Sequence, residues 1–86
     1  MIHMEYYSAV WCGPCKAMKP VIEDLQVAGW NITKIDVDQE KQKARDNSIL
    51  GVPSFLIYRD GQLVSRITGA RTKDLLEAEL LQAQGS

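Results

Sequence analysis

Two residues of this chain are suited to covalent chemistry, Cys12 and Cys15, and they share one run, Trp11-Cys12-Gly13-Pro14-Cys15. The chain has no other cysteine. A disulfide between them closes too small a loop to gain much chain entropy, because that gain grows with loop length. The pair is therefore poorly suited to stapling a fold and better suited to reversible chemistry. Thiol–disulfide exchange needs one thiolate to attack and a second thiol near enough to resolve the mixed disulfide. Two intervening residues at a helix start meet both needs. Pro14, with its fixed φ and missing N–H, suits the first helical turn. Cys12 then falls just ahead of the helix, where unpaired backbone N–H groups and the positive dipole end favour a negative sulfur. Its pKa is expected below that of a free cysteine. Cys15, one turn in and on the apolar stripe, is expected to be shielded and to hold its proton longer. Cys12 reads as the nucleophile and Cys15 as the resolving thiol. Gly13 lets the backbone turn tightly and Pro14 stiffens it. A structural zinc site asks for four ligands, and only His3 stands beside the two cysteines, so no metal is assigned. Trp11 and Gly13-Pro14 read as an exposed loop, which argues against an inert, buried pair.

The remainder of the 86 residues must hold those sulfurs in place. That length allows one domain, taken as residues 1–86, at the small end of what folds without cross-links or metal. Hydrophobic content of 45% and charged content of 24% suit a soluble globular chain. A net charge of −1 with no clustered basic run excludes a direct nucleic-acid footprint. Apolar runs such as Ser54-Phe55-Leu56-Ile57-Tyr58 are too short to cross a bilayer, so no membrane partner is expected. Met1-Ile2-His3-Met4-Glu5 lacks the basic start and apolar core of a secretion signal. A cytoplasmic setting is expected, where a structural disulfide would be kept reduced. Gly85-Ser86 carry no weight in this reading.

In chain order, residues 2–8 predict a strand with Ile2, Met4 and Tyr6 on one face. A helix follows from about Pro14 to Gly29, with Cys15, Met18, Ile22 and Leu25 as its buried stripe and a kink expected at Pro20. Residues 31–37 predict a second strand, and Asp38 a cap for a short helix over 39–47. Gly51-Val52-Pro53-Ser54 reads as a turn into a buried strand, Ser54 to Tyr58. Asp60-Gly61 is a hairpin signal before a partner strand from Leu63 to Thr68, which Gly69 breaks. Thr72 caps a last helix through about Ala83, with Leu76, Leu80 and Ala83 inward. The order is β-α-β-α-β-β-α, an α/β fold. Its first crossover is expected to be right-handed. That puts the cysteine loop at the C-terminal end of the first strand, where open α/β sheets place their sites.

Trp11-Cys12-Gly13-Pro14-Cys15, followed by Lys16, Met18 and Pro20, resembles the active-site stretch of the thioredoxin family. The resemblance continues through Lys34-Ile35-Asp36-Val37-Asp38-Gln39, Leu50-Gly51-Val52-Pro53-Ser54, Asp60-Gly61, Gly69-Ala70 and the closing leucine-rich helix. It implies a thioredoxin-like fold and a dithiol–disulfide oxidoreductase that reduces protein disulfides, binds no cofactor itself and acts as a monomer. Electrons would come from NADPH through a flavin enzyme, thioredoxin reductase or similar. It also implies a cis Val52–Pro53 bond beside the sulfurs, with the Val52 backbone free to pair with an extended substrate segment. Trp11, Gly13, Pro14, Leu50, Gly51, Val52, Pro53 and Ala70 would then form the substrate-binding surface.

Two departures from the family pattern bear on this expectation. Thioredoxins usually begin with a further strand and helix, whereas this sequence starts at what is their second strand. The sheet is then expected to have four strands in the order 2-1-3-4, mixed and flanked by helices, with residues 31–37 at an edge where Lys34 and Asp36 discourage pairing. Thioredoxins also mostly place a buried Asp six residues before the first cysteine, and Tyr6 stands there. The lysine that accompanies that acid is retained as Lys34, so Tyr6 and Lys34 are the candidate tuning residues. Tyr6 offers a hydroxyl that could hydrogen-bond near the sulfurs, but as a packed strand aromatic it is expected mainly to fill space. Glu5 is a weak substitute because it faces the other side of the sheet. His3 and the charged run from Asp38 to Asp46 read as half-exposed and solvated surface. The alternatives are a glutaredoxin-like or ribonucleotide-reductase electron donor, and a redox-independent binding subunit.

Overall fold

Four consecutive residues near the start of the chain, Met4, Glu5, Tyr6 and Tyr7, are all buried. Side chains alternate across a strand, so this run means a strand covered on both faces. A computed structural model of the chain describes residues 1–85 and places that strand, β1 (Ile2–Ser8), inside a sheet. Ser86, the last residue of the expected domain, lies outside the described residues. After β1 come α1 (Gly13–Val27), β2 (Asn31–Asp36), α2 (Lys41–Asp46), β3 (Ser54–Arg59), β4 (Gln62–Thr68) and α3 (Lys73–Gly85). The sheet order is β2-β1-β3-β4, the 2-1-3-4 order expected from the resemblance. β1 runs parallel to β2, with Tyr6 opposite Lys34 and Ser8 opposite Asp36, and antiparallel to β3, with Glu5 opposite Leu56. β4 pairs antiparallel with β3 at the other edge.

Each face of β1 serves a different core. Met4 and Tyr6 pack with Met18, Ile22 and Leu25 of α1, Phe55 and Ile57 of β3, and Leu76 and Leu80 of α3. On the opposite face Tyr7, Ile35 and Leu56 pack under Ala44 of the short α2. Truncating any fully buried aliphatic in the first cluster costs about 2–5 kcal/mol, since transfer and cavity terms add.

The local signals explain most boundaries. Cys12 is the N-cap of α1 and Pro14 lies in its first turn. The helix runs through Pro20 to Val27, and Gly29, at φ 103°, closes it with Trp30 N–H donating to the Leu25 carbonyl at 3.1 Å. Asp60 and Gly61 both have positive φ, 51° and 86°, the conformation a two-residue hairpin turn needs. Thr72 Oγ1 accepts the Leu75 N–H at 3.2 Å and so caps α3. The second helix differs from expectation. It spans Lys41–Asp46 rather than 39–47, its cap position is Glu40 rather than Asp38, and β2 ends at Asp36. The cause is a turn centred on Asp36. Its Oδ1 accepts the N–H groups of Asp38 (2.8 Å) and Gln39 (3.3 Å), and its carbonyl accepts that of Glu40 at 2.9 Å. Residues 37–40 are thereby held in the turn and withheld from the helix.

Candidate active site

The site is assembled where β1 ends and α1 begins. Cys12 N–H donates to the Ala9 carbonyl at 3.2 Å, a tight turn that sets Cys12 directly ahead of the helix. Its Sγ accepts the Cys15 N–H at 3.2 Å. A sulfur thus satisfies one of the helix-start donors that would otherwise lack a partner. A thiolate at this position receives both that hydrogen bond and the positive end of the helix dipole. Cys12 and Cys15 are joined as a disulfide, with Cα atoms 5.2 Å apart.

Both cysteines are buried, Cys12 at 4% exposure and Cys15 at 5%. Cys15 is shielded as expected, and Cys12 is shielded equally although the loop residues around it are exposed. Exposure belongs to the flanks: Val10, Trp11, Gly13 and Pro14 all face solvent. Cys12 itself tucks against Ala9, Val37 and Val52. Its Sγ lies 3.7 Å from the Val52 carbonyl oxygen.

That carbonyl belongs to the loop before β3. The Val52–Pro53 peptide bond is cis, Pro53 is buried, and Ser54 Oγ donates to the Gly51 carbonyl at 2.6 Å. Gly69 N–H donates to the Pro53 carbonyl at 2.8 Å, which brings Gly69-Ala70 alongside. A groove of about 150 Å³ runs between this loop and the tryptophan, lined by Trp11, Val37, Ile49, Leu50, Gly51 and Val52. Of the expected substrate-binding residues, Trp11, Leu50, Gly51 and Val52 share this groove, with Leu50 98% exposed. Gly13 and Pro14 belong to the start of α1, and they, Pro53 and Ala70 do not line the groove. Asp38, expected as a helix cap, has a different part in the structure. Its Oδ2 accepts the Trp11 indole N–H at 2.7 Å, so it anchors the tryptophan and does not cap a helix. Trp11 is two-thirds exposed yet held in one orientation.

A second cleft, of about 230 Å³, opens on the other side of the disulfide. Tyr6, Ser8, Cys15 and Asp36 line it, together with Lys16, Lys19 and Lys34. Tyr6 does more than fill space. Its ring stacks on Phe55 at a centroid distance of 5.4 Å, and its hydroxyl donates to the Cys15 carbonyl at 3.1 Å. Burial pushes the Tyr6 hydroxyl above its ordinary pKa, with Ser8 pulling slightly the other way. Lys34 finds no carboxylate at position 6 to accompany.

Glu5 does face the opposite side, as expected, but it is 8% exposed and fully engaged. Its Oε1 accepts the hydroxyls of Tyr7 (2.9 Å) and Tyr58 (3.0 Å), and its Oε2 pairs with Lys43 at 3.2 Å. Burial pulls the Glu5 carboxyl upward, but the bonds from Tyr7, Lys43 and Tyr58 outweigh it and hold the pKa below the ordinary value. The run from Asp38 to Asp46 is therefore not uniformly solvated surface. His3 shares a 2.8 Å hydrogen bond with Thr33 Oγ1 and stacks on Tyr58, away from the sulfurs. Among the described residues no group of three or more His, Cys, Asp or Glu is placed to hold a metal ion.

Comparison with known proteins agrees with this geometry. The thioredoxin family model matches residues 2–82. The chain is 39% identical over 75 residues to the thioredoxin of Mycobacterium tuberculosis, covering 84% of this chain and 65% of that protein. It therefore spans just under two thirds of that relative's length. It is also 37% identical over 75 residues to a bifunctional thioredoxin reductase/thioredoxin of Mycobacterium leprae, covering 84% of this chain and 16% of that one. A solved mutant thioredoxin from Halobacterium salinarum superposes with a TM-score of 0.91 at 30% identity, covering 95% of this chain and 74% of the other.

Proposed function

The chain belongs to the thioredoxin family, and from that premise we propose that it reduces disulfides in other proteins by cycling Cys12 and Cys15 between dithiol and disulfide. One observation carries the reading: the two sulfurs are joined at the first turn of α1, with Cys12 as its cap. In the proposed cycle the Cys12 thiolate attacks a substrate disulfide held as an extended segment along Val52-Pro53, with Trp11 and Leu50 supplying apolar contact. The attack forms a Cys12–substrate bond and releases one substrate thiolate. Cys15 then displaces the second substrate sulfur and leaves the Cys12–Cys15 bridge. The substrate is reduced by two electrons and the pair oxidised by two.

Return to the dithiol needs a reductase, and we assign that role to a flavin enzyme drawing on NADPH. The fused Mycobacterium leprae relative, whose name joins both activities in one chain, supports this assignment. Action as a monomer in the cytoplasm, where reductant is at hand, belongs to the same proposal. The test is insulin reduction and mixed-disulfide trapping. Cys12→Ser is expected to abolish turnover and trap nothing. Cys15→Ser is expected to accumulate a covalent Cys12–substrate adduct. Equal trapping by both variants would overturn the assignment of roles.

A further inference from the structure

Resolution of the mixed disulfide requires the Cys15 thiol to give up a proton as its sulfur attacks, because the thiolate is the nucleophile. The residues nearest in the chain do not supply an acceptor. The Tyr6 hydroxyl donates to the Cys15 carbonyl and is itself a proton donor there. Glu5 lies on the other face, bonded to two phenols and Lys43. The cleft that Cys15 lines has one carboxylate, Asp36. We propose that Asp36 accepts the Cys15 proton through water held in this cleft.

The placement follows from the sheet. Asp36 is the Cα partner of Ser8 and Lys34 that of Tyr6, so these four residues stack on the α1 side of β1 and β2. The smallness of Ser8 leaves the space between Asp36 and the helix open. A cleft of about 230 Å³ holds several waters. One such bridge is enough for proton transfer between groups too far apart for direct contact. Asp36 is also fixed. Its Oδ1 accepts two backbone N–H groups of the following turn, while Oδ2 takes part in neither bond. The charged residues that line the cleft with Asp36 are Lys34 of β2 and Lys16 and Lys19 of α1, with Tyr6 as the neutral wall from β1. None of the three ammonium groups has an ion pair or hydrogen bond among the described residues. They favour the negative charge that appears on Cys15 as its proton leaves. In the step itself the Cys15 S–H bond breaks and its proton passes by way of water to Asp36. The sulfur's electron pair forms the bond to Cys12 Sγ, and the Cys12–substrate S–S bond breaks with its pair leaving on the substrate sulfur.

This inference rests on the redox reading above, and one experiment separates the two. The reduced protein is mixed with 5,5′-dithiobis(2-nitrobenzoate) in a stopped-flow instrument and the released thionitrobenzoate is followed. The first phase reports attack by Cys12 and the second reports resolution by Cys15. If the unaltered chain shows no rapid first phase, the redox reading itself fails. Asp36→Asn keeps an oxygen acceptor for the turn and removes the base. It is expected to leave the first phase unchanged and to slow the second by about tenfold or more near neutral pH, the low end of general-base effects. The two profiles should converge at alkaline pH, where the thiol ionises unaided. A second phase identical to the unaltered protein's, or one slowed by the same factor at every pH, overturns the role of Asp36.

Discussion

Glu5 and Tyr6 are neighbours in sequence and point to opposite faces of the same strand, where they meet opposite surroundings. On the α2 face a carboxylate is buried, but two phenols and an ammonium surround it. On the α1 face, beside the reactive sulfurs, a phenol is buried among Phe55 and aliphatic side chains, with one backbone carbonyl as its acceptor. A buried carboxylate is tolerable only where donors converge on it. Tyr7, Tyr58 and Lys43 come from two strands and a helix to do this on one face. The Tyr6 side has no equivalent set. The chain thus keeps its most buried carboxylate on the face away from the Cys12–Cys15 pair.

Moving the charge from one face to the other puts this division of the strand under the greatest strain. Tyr6→Asp is expected to destabilise the fold by about 3 kcal/mol or more at neutral pH, combining a lost aromatic with a buried carboxylate that no phenol reaches and that only solvent-exposed lysines such as Lys34 could meet. That carboxyl would titrate above its unfolded value, so the loss should shrink as pH falls and the group is neutralised. Urea unfolding at two pH values reads both effects. A loss that grows on acidification would mean that the α1 face does supply donors.

Glu5→Gln tests the other side. It leaves two phenols and Lys43 competing for one amide oxygen and should cost about 2 kcal/mol at neutral pH. The sign with pH is the reverse of the first case. The folded pKa of Glu5 is lowered from 4.5, so its stabilisation is complete above that value and disappears as pH falls through the folded pKa. The stability gap between the parent chain and Glu5→Gln should therefore hold at neutral pH and close on acidification below the ordinary value of 4.5. A constant gap would show that the carboxylate's charge is not what matters. The smallest effect is expected from Tyr6→Phe, about 1 kcal/mol for one hydrogen bond to a backbone carbonyl. Its thiol–disulfide exchange should stay near the parent rate, because the phenol serves as wall and tether.

The contrast also marks what the residues announced in advance. The cysteine chemistry was legible because it is local. Cap, proline and both sulfurs lie within four positions, and the α1 stripe of Cys15, Met18, Ile22 and Leu25 follows from helical period alone. The alternation of Met4 and Tyr6 likewise identified the core face of β1. The Glu5 network was not legible, because Glu5, Lys43 and Tyr58 meet only once the β1–β3 register and the seat of α2 are set. The same holds for Asp38 and Trp11, which are 27 positions apart. An acidic residue at a strand exit reads as a cap, and here the turn built on Asp36 reaches it first. The burial of Cys12 was also out of reach, because it depends on Val52 arriving from a distant loop.

The hydrogen bond from Cys15 N–H to Cys12 Sγ has a practical consequence. One amide proton points at the atom whose charge and bonding would change in the proposed cycle, so its magnetic environment is a built-in gauge of that atom's condition. In a ¹⁵N-labelled sample the Cys15 cross-peak should move as Cys12 ionises and move again as the bridge closes. The acidity of the Cys12 sulfur then becomes readable site by site, with no chromophore, alkylating agent or substitution.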